Sequence, residues 1–193
     1  MVATPKKSPL APASFPELLA VGGVRLATAA CGVKYRDRKD VLLGAFDVGT
    51  TVAGVLTQSR TASAPVNWCR KNLPSGQAQA LLVNSGNANA FTGMRGRSAV
   101  EATVSAVADT LTCRPSRVFT ASTGVIGEPL PAETITSAMA NLKDQLVNAD
   151  NTATWQAAAE AIMTTDTFPK GAAQSSRIGE TEITIAGIAK GSG

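Results

Sequence analysis

No histidine occurs anywhere in the 193 residues, which excludes a His-based catalytic triad within this chain and any zinc site with a histidine ligand. Cysteine is sparse: Cys31, Cys69 and Cys113 stand far apart with no metal-like spacing. An odd, dispersed set in a chain of this size points to a reducing compartment and buried thiols. Aromatic residues supply only 4% of the chain, so the core has to be built from Ala, Val, Leu and Ile. No apolar run approaches membrane-spanning length. Residues 1–14, rich in Pro, Ala and Lys, lack the continuous apolar stretch of a signal peptide, so a cytoplasmic protein with no membrane partner is expected. The formal charge of +4 comes from scattered Lys and Arg, apart from residues 34–39, Lys-Tyr-Arg-Asp-Arg-Lys. Nucleic acid would ask for a longer basic face with interleaved aromatics, so this cluster reads as a solvated charged turn and no nucleic-acid partner is expected.

What is present is a globular composition, 44% apolar and 17% charged, in a chain long enough for one domain or two small lobes. Residues 1–13, with three prolines and no periodicity, read as a disordered tail, and residues 14–193 as the folded unit. Val24, Leu26 and Thr28 alternate with other residues as in a strand, and further strands are expected over residues 41–46 and 51–57. Residues 64–69 fit a short strand or a helix start, and Ala80-Leu81-Leu82-Val83 a buried strand. Val100, Val104, Val107 and Leu111 fall on one face of a helix ending before Pro115; Ile135, Met139, Leu142 and Leu146 repeat the spacing after Pro131. A third helix, capped by Asp150, Asn151 or Thr152, carries Trp155, Ala158, Ala159 and Ile162 on one stripe. A turn over residues 175–179 and a strand over 182–186 close the pattern.

Chemistry concentrates in the stretches between these elements. Residues 121–127, Ala-Ser-Thr-Gly-Val-Ile-Gly, read as a strand end leading into an irregular turn. There the Thr123 hydroxyl and the Gly124 N–H can point at one oxygen atom, the geometry of an oxyanion hole; the alternative is an ordinary turn capped by Thr123. Residues 84–90, Asn-Ser-Gly-Asn-Ala-Asn-Ala, form a small-residue loop that either binds a ligand or braces a neighbouring loop. Thr164, Thr165 and Thr167 surround Asp166, placed to cap backbone or to offer hydroxyls to a polar ligand. The final Lys-Gly-Ser-Gly follows a strand directly and reads as a chain cut in the middle of a site. It has the wrong order for a phosphate-binding P-loop, and Ala186 stands where the upstream glycine would be.

Four stretches in order, residues 84–90, 121–127, 162–167 (Ile-Met-Thr-Thr-Asp-Thr) and 189–193 (Ala-Lys-Gly-Ser-Gly), resemble the ornithine acetyltransferases of arginine biosynthesis. The resemblance runs from about Phe15 to the C-terminus, and Ala11-Pro12-Ala13-Ser14 and Ser63-Ala64-Pro65-Val66 also fit it. It implies an α/β fold, a layered α/β/β/α-type sandwich of mixed sheets and helices. It further implies a precursor that cuts itself before an internal threonine, of which this chain would be the α chain. The new N-terminal Thr of the β chain would be the nucleophile, using its own α-amine as base, which suits the absence of histidine. The implied reaction carries acetyl from N-acetylornithine to that Thr and then to glutamate, with no metal or other cofactor; acetyl-CoA is a further donor in some members. The resemblance assigns Thr123 and Gly124 to the oxyanion hole and Lys190 to substrate contact. Thr167 is the choice for the substrate-contacting threonine, with Thr164 and Thr165 close by. An α2β2 heterotetramer is the expected assembly. Two rival readings stand beside it: a self-cleaving aminopeptidase of similar architecture with a Ser nucleophile, and a non-catalytic small-ligand-binding domain.

Overall fold

Burial on both faces of Val41–Phe46 (β2) organises the molecule: Val41 and Leu43 face one layer of helices, while Leu42 faces the opposite side. This computed structural model describes residues 7–191. Residues 1–6 of the expected tail and Ser192 and Gly193 of the terminal loop lie outside the described residues. Strand β2 pairs antiparallel with Val24–Ala29 (β1) and with Ala80–Asn87 (β3). Val118–Val125 (β4) lies parallel to β3, and the short Val147–Asn148 (β5) closes the far edge, giving the order β4-β3-β2-β1-β5. A separate antiparallel ribbon joins Lys170–Ile178 (β6) to Thr181–Ala189 (β7).

The parallel step from β3 to β4 needs a crossover, supplied by the helix Gly93–Leu111 (α2, after α1 at Ala64–Asn72). Its stripe of Val100, Val104 and Val107 is buried against Leu43, Leu82 and Val118. Ile135 of Ala132–Thr136 (α3) and Met139 and Leu142 of Met139–Asp144 (α4) complete that core. The apolar spacing after Pro131 therefore belongs to two short helices rather than one. Both turn the same face inward, which preserves the period across the break. On the opposite side of the sheet, Thr152–Ala161 (α5) buries Trp155, Ala158 and Ala161 against Leu26, Leu42 and Leu18, with Ala173, Ala186 and Ile188 of the ribbon beside them. Asn151 caps α5, its side chain accepting from the Thr154 N–H. The two tryptophans serve different regions: Trp68 of α1 donates its Nε1–H to the Val118 carbonyl of β4 (2.8 Å), whereas Trp155 sits under the ribbon side. This is the mixed α/β arrangement with mixed sheets that the resemblance implies. No helix among the described residues is long and apolar enough to cross a membrane.

Several local expectations change. Residues 51–57 form no strand: Thr51 makes an isolated bridge to Gln77, Val52 and Leu56 pack beside Cys69 and Phe119, and Val55 is 98% exposed. The alternation there marks two packing contacts without a neighbouring strand to pair with. Residues 64–69 belong to helix α1, with Pro65 in its first turn, where the missing N–H costs nothing. Strand β6 runs through residues 175–178, and the turn falls at Gly179 and Glu180. The basic cluster at 34–39 is solvated only in part. Arg38 stacks on Tyr35 (4.3 Å to the ring centroid) and turns inward to donate to Ser85 Oγ (3.1 Å) and to the Met163 carbonyl. Cys69 is buried and donates to the Thr120 carbonyl, while Cys31 and Cys113 are half-buried; all three are free thiols. Burial, helped by the neighbouring Asp40 carboxylate, pushes the Cys31 thiol up to about 11.

Candidate functional site

The parallel strands β3 and β4 continue further than their apolar residues suggest. β3 extends through Asn84, Ser85 and Gly86 to Asn87, and β4 through Thr123 and Gly124 to Val125. Gly86 pairs with Gly124, and the register then slips at Asn87, a bulge at the C-terminal ends of the two strands. Both glycines have positive φ, 106° and 135°. A Cβ at Gly124 would lie 2.3 Å from the Gly86 carbonyl carbon and 2.6 Å from the Asn87 nitrogen, so no side chain fits there. Thr123 and Gly124 are thus held by a rigid ladder rather than by a turn.

The asparagine-rich stretch is a brace. Asn84 Nδ2 donates to the Asn87 carbonyl, and Ser122 Oγ on β4 donates to Asn84 Oδ1 (2.6 Å). Asn87 Nδ2 reaches the carbonyls of Glu128 and Pro129, and its Oδ1 accepts the Asn89 N–H. Asn89, fully buried, donates to the Gly96 carbonyl of α2 and accepts from Thr92 Oγ1. These side chains satisfy backbone groups of the segment that follows β4 and of the start of α2, which fixes the bulge from both sides.

From the other side, the ribbon delivers Lys190. Its Nζ donates to Thr123 Oγ1 at 3.1 Å, joining residues that are 67 apart in the chain. Because the Thr123 oxygen accepts this bond, its own proton remains available to another acceptor. Asp166 stands next to the pair: its side chain is 1% exposed, and Oδ2 lies 3.9 Å from Lys190 Nζ. Oδ1 accepts the Gly191 N–H (2.6 Å) and Lys170 Nζ (3.1 Å), and Oδ2 accepts the Thr164 N–H (3.0 Å). Burial by itself would raise the Asp166 carboxyl, but the Thr164 and Gly191 N–H groups and the Lys170 ammonium outweigh it and hold the group at about 2.

The structure therefore brings Thr123, Gly124 and Lys190 together. Thr167 lies one residue from Asp166, and its Oγ1 accepts the Ser8 N–H (3.2 Å), so Ser8 lies against this loop. Thr164 meets the cluster through its backbone, and Thr165 is exposed. Asp166 is the member that sequence reasoning left among the surrounding hydroxyls. The sign it offered was a lone carboxylate four residues before a lysine. A cleft of about 730 Å³ between α1 and the start of α2 is lined by residues that include Trp68, Phe91, Met94 and Arg97 and holds none of the four candidate residues. The candidate site is instead an open surface where the strand ends meet the ribbon.

The chain is similar in sequence and in fold to known proteins. The profile of the ArgJ family matches residues 25–193. The arginine biosynthesis bifunctional proteins ArgJ of Rhizobium meliloti and Agrobacterium fabrum are 53% and 52% identical over 186 residues, 96% of this chain. The chain spans 44% of the length of each. Among solved structures, the ArgJ protein of Bacillus halodurans superposes with a TM-score of 0.79 at 34% identity, covering 89% of this chain and 88% of its own. The ornithine acetyltransferase of Mycobacterium tuberculosis, solved with ornithine, gives 0.80 at 33% identity, covering 89% and 90%.

Proposed function

The chain belongs to the ArgJ family, and from that premise we propose that it is the α chain of an ornithine acetyltransferase, supplying the oxyanion-stabilising half of the active site. The nucleophile is the N-terminal threonine of a β chain released from the same precursor by self-cleavage. Its hydroxyl oxygen attacks the acetyl carbonyl of N-acetylornithine, and its α-amine takes the hydroxyl proton. The C–N bond breaks and ornithine leaves with that proton; the amine of glutamate then attacks the acetyl-threonine ester, the ester C–O bond breaks, and the proton lost by the amine returns through the α-amine to the threonine oxygen, giving N-acetylglutamate and free enzyme. Each half passes through a tetrahedral intermediate with negative charge on oxygen. The Thr123 hydroxyl and the Gly124 N–H are the donors for that charge. Lys190, by occupying the Thr123 oxygen, turns the hydroxyl proton toward it and places a cation near the substrate, with Thr167 at the rim. Acetyl-CoA is the candidate second donor, as some family members use it and others do not, and the working assembly is an α2β2 heterotetramer in the cytoplasm.

The observation that supports this reading most is the Lys190 to Thr123 contact beside Gly124. Incubating the purified full-length protein with N-acetylornithine and glutamate should release ornithine and N-acetylglutamate. Intact masses should show two chains, with one acetyl group on the second after exposure to N-acetylornithine alone. A single uncut chain that transfers no acetyl would overturn the reading. Running acetyl-CoA in place of N-acetylornithine decides the second donor.

A further inference from the structure

We propose that Asp166 is a positioning residue of this site, holding Lys190 against Thr123. The inference rests on the acyl-transfer reading above. Lys190 follows the last residue of β7, and its side chain is 30% exposed, so strand pairing alone leaves its ammonium free to sample solvent. Asp166 restrains it twice. Oδ1 accepts the N–H of Gly191, which fixes the backbone immediately after Lys190, and Oδ2 lies 3.9 Å from Nζ, which draws the head group in. Lys170, at the first position of β6 and paired in register with Ala189, binds Oδ1 as well. The carboxylate therefore ties the open ends of both ribbon strands to the loop after α5, where Thr164 donates its N–H.

The charge balance gives the cluster its direction. One buried carboxylate faces two lysines, and Lys170 makes the closer contact, 3.1 against 3.9 Å. Lys170 neutralises Asp166 while Lys190 is steered without being captured. Its short bond goes to Thr123 Oγ1 instead. A carboxylate with this little exposure is retained only when its lone pairs are met, and here each partner lies on a segment that bears on Lys190.

A double-mutant cycle in the full-length protein tests this, using Asp166→Asn, Lys190→Met and the double variant, with acetyl transfer from N-acetylornithine to glutamate as the readout. Asp166→Asn should lower kcat about 10- to 100-fold with little change in KM, the scale expected from misplacing a contributing group. In the Lys190→Met background the same change should cost less than about threefold, because the residue through which it acts is gone. If Asp166→Asn fails to fold, as read by circular dichroism, Lys170→Met takes its place in the cycle. Loss of the close cation draws Lys190 off Thr123 toward Asp166, so the same non-additivity is expected. Losses that multiply in the double variant, or a single variant within about twofold of wild type, overturn the role of Asp166 alone. A wild-type protein without acetyl transfer defeats the functional reading, and this one with it.

Discussion

Strands β3 and β4 present Thr123 and Gly124 on a sheet whose inward residues Ala80, Leu82 and Val118 are at most 2% exposed, whereas the ribbon that presents Lys190 leaves Ile178 and Ile185 70% and 62% exposed. The two halves of the site are held by different physics. The side that carries Thr123 and Gly124 is fixed by close packing and by a bulge in which no Cβ fits at Gly124. The lysine side rests on the partial burial of Ala173, Ala186 and Ile188 and on one carboxylate at the end of the ribbon, while the hairpin end around Gly179 is exposed. Damage to the first should spread through the fold; damage to the second should stay local.

The sharpest test of that division is Thr123→Ala, which removes the hydroxyl proposed as an oxyanion donor while keeping the backbone. Turnover should fall roughly 10² to 10³ fold, about 3 to 4 kcal/mol, with little change in KM or thermal midpoint. Steady-state kinetics on fully processed enzyme check this. A loss within about threefold would reduce Thr123 to a strand residue.

Stability should separate the two regions next. Leu43→Ala, in the centre of the sheet, should cost about 3 kcal/mol by urea denaturation. Ile188→Ala, half-buried on the ribbon, should cost about 1 kcal/mol. Equal losses would mean that the ribbon is as integral to the cooperative unit as the sheet.

The smallest effect is the acid dependence of the clamp. Asp166 titrates at about 2 in the folded chain against an ordinary 3.8. Its depressed value contributes stability that is full above pH 4 and is lost as pH falls from about 4 through 2. After solvent screening the contribution should stay below about 2 kcal/mol. Urea midpoints of Asp166→Asn against wild type should converge across that window. A difference that persists at pH 2 would place the contribution in packing instead of charge.

The sequence made one kind of element legible and obscured another. The stripe of Val100, Val104 and Val107 declared both its helix and its buried face, because helical period and burial are local properties of the chain. Residues 51–57 carried an equally clear alternation, yet pairing needs a second strand, and none lies beside Val55. The motif at 121–127 was visible, but its conformation was not: Gly124 is required by the backbone of Gly86, 38 residues earlier. The asparagine string left binding and bracing open because its partners, at Gly96, Glu128 and Pro129, lie in other segments. Asp166 stood in plain view among threonines, and its meaning came only from Lys170, Lys190 and Gly191 arriving around it.

Having one tryptophan in each region turns the contrast into a spectroscopic one. Trp68, bonded to the β4 carbonyl, reports on the sheet; Trp155, enclosed by α5 and the ribbon side, reports on the layer that carries Lys190. Two single-tryptophan variants, each keeping one indole and replacing the other by Phe, would give separate emission signals from the two halves of the site. Denaturant titrations followed at each wavelength maximum would show directly whether the lysine side loosens before the sheet side.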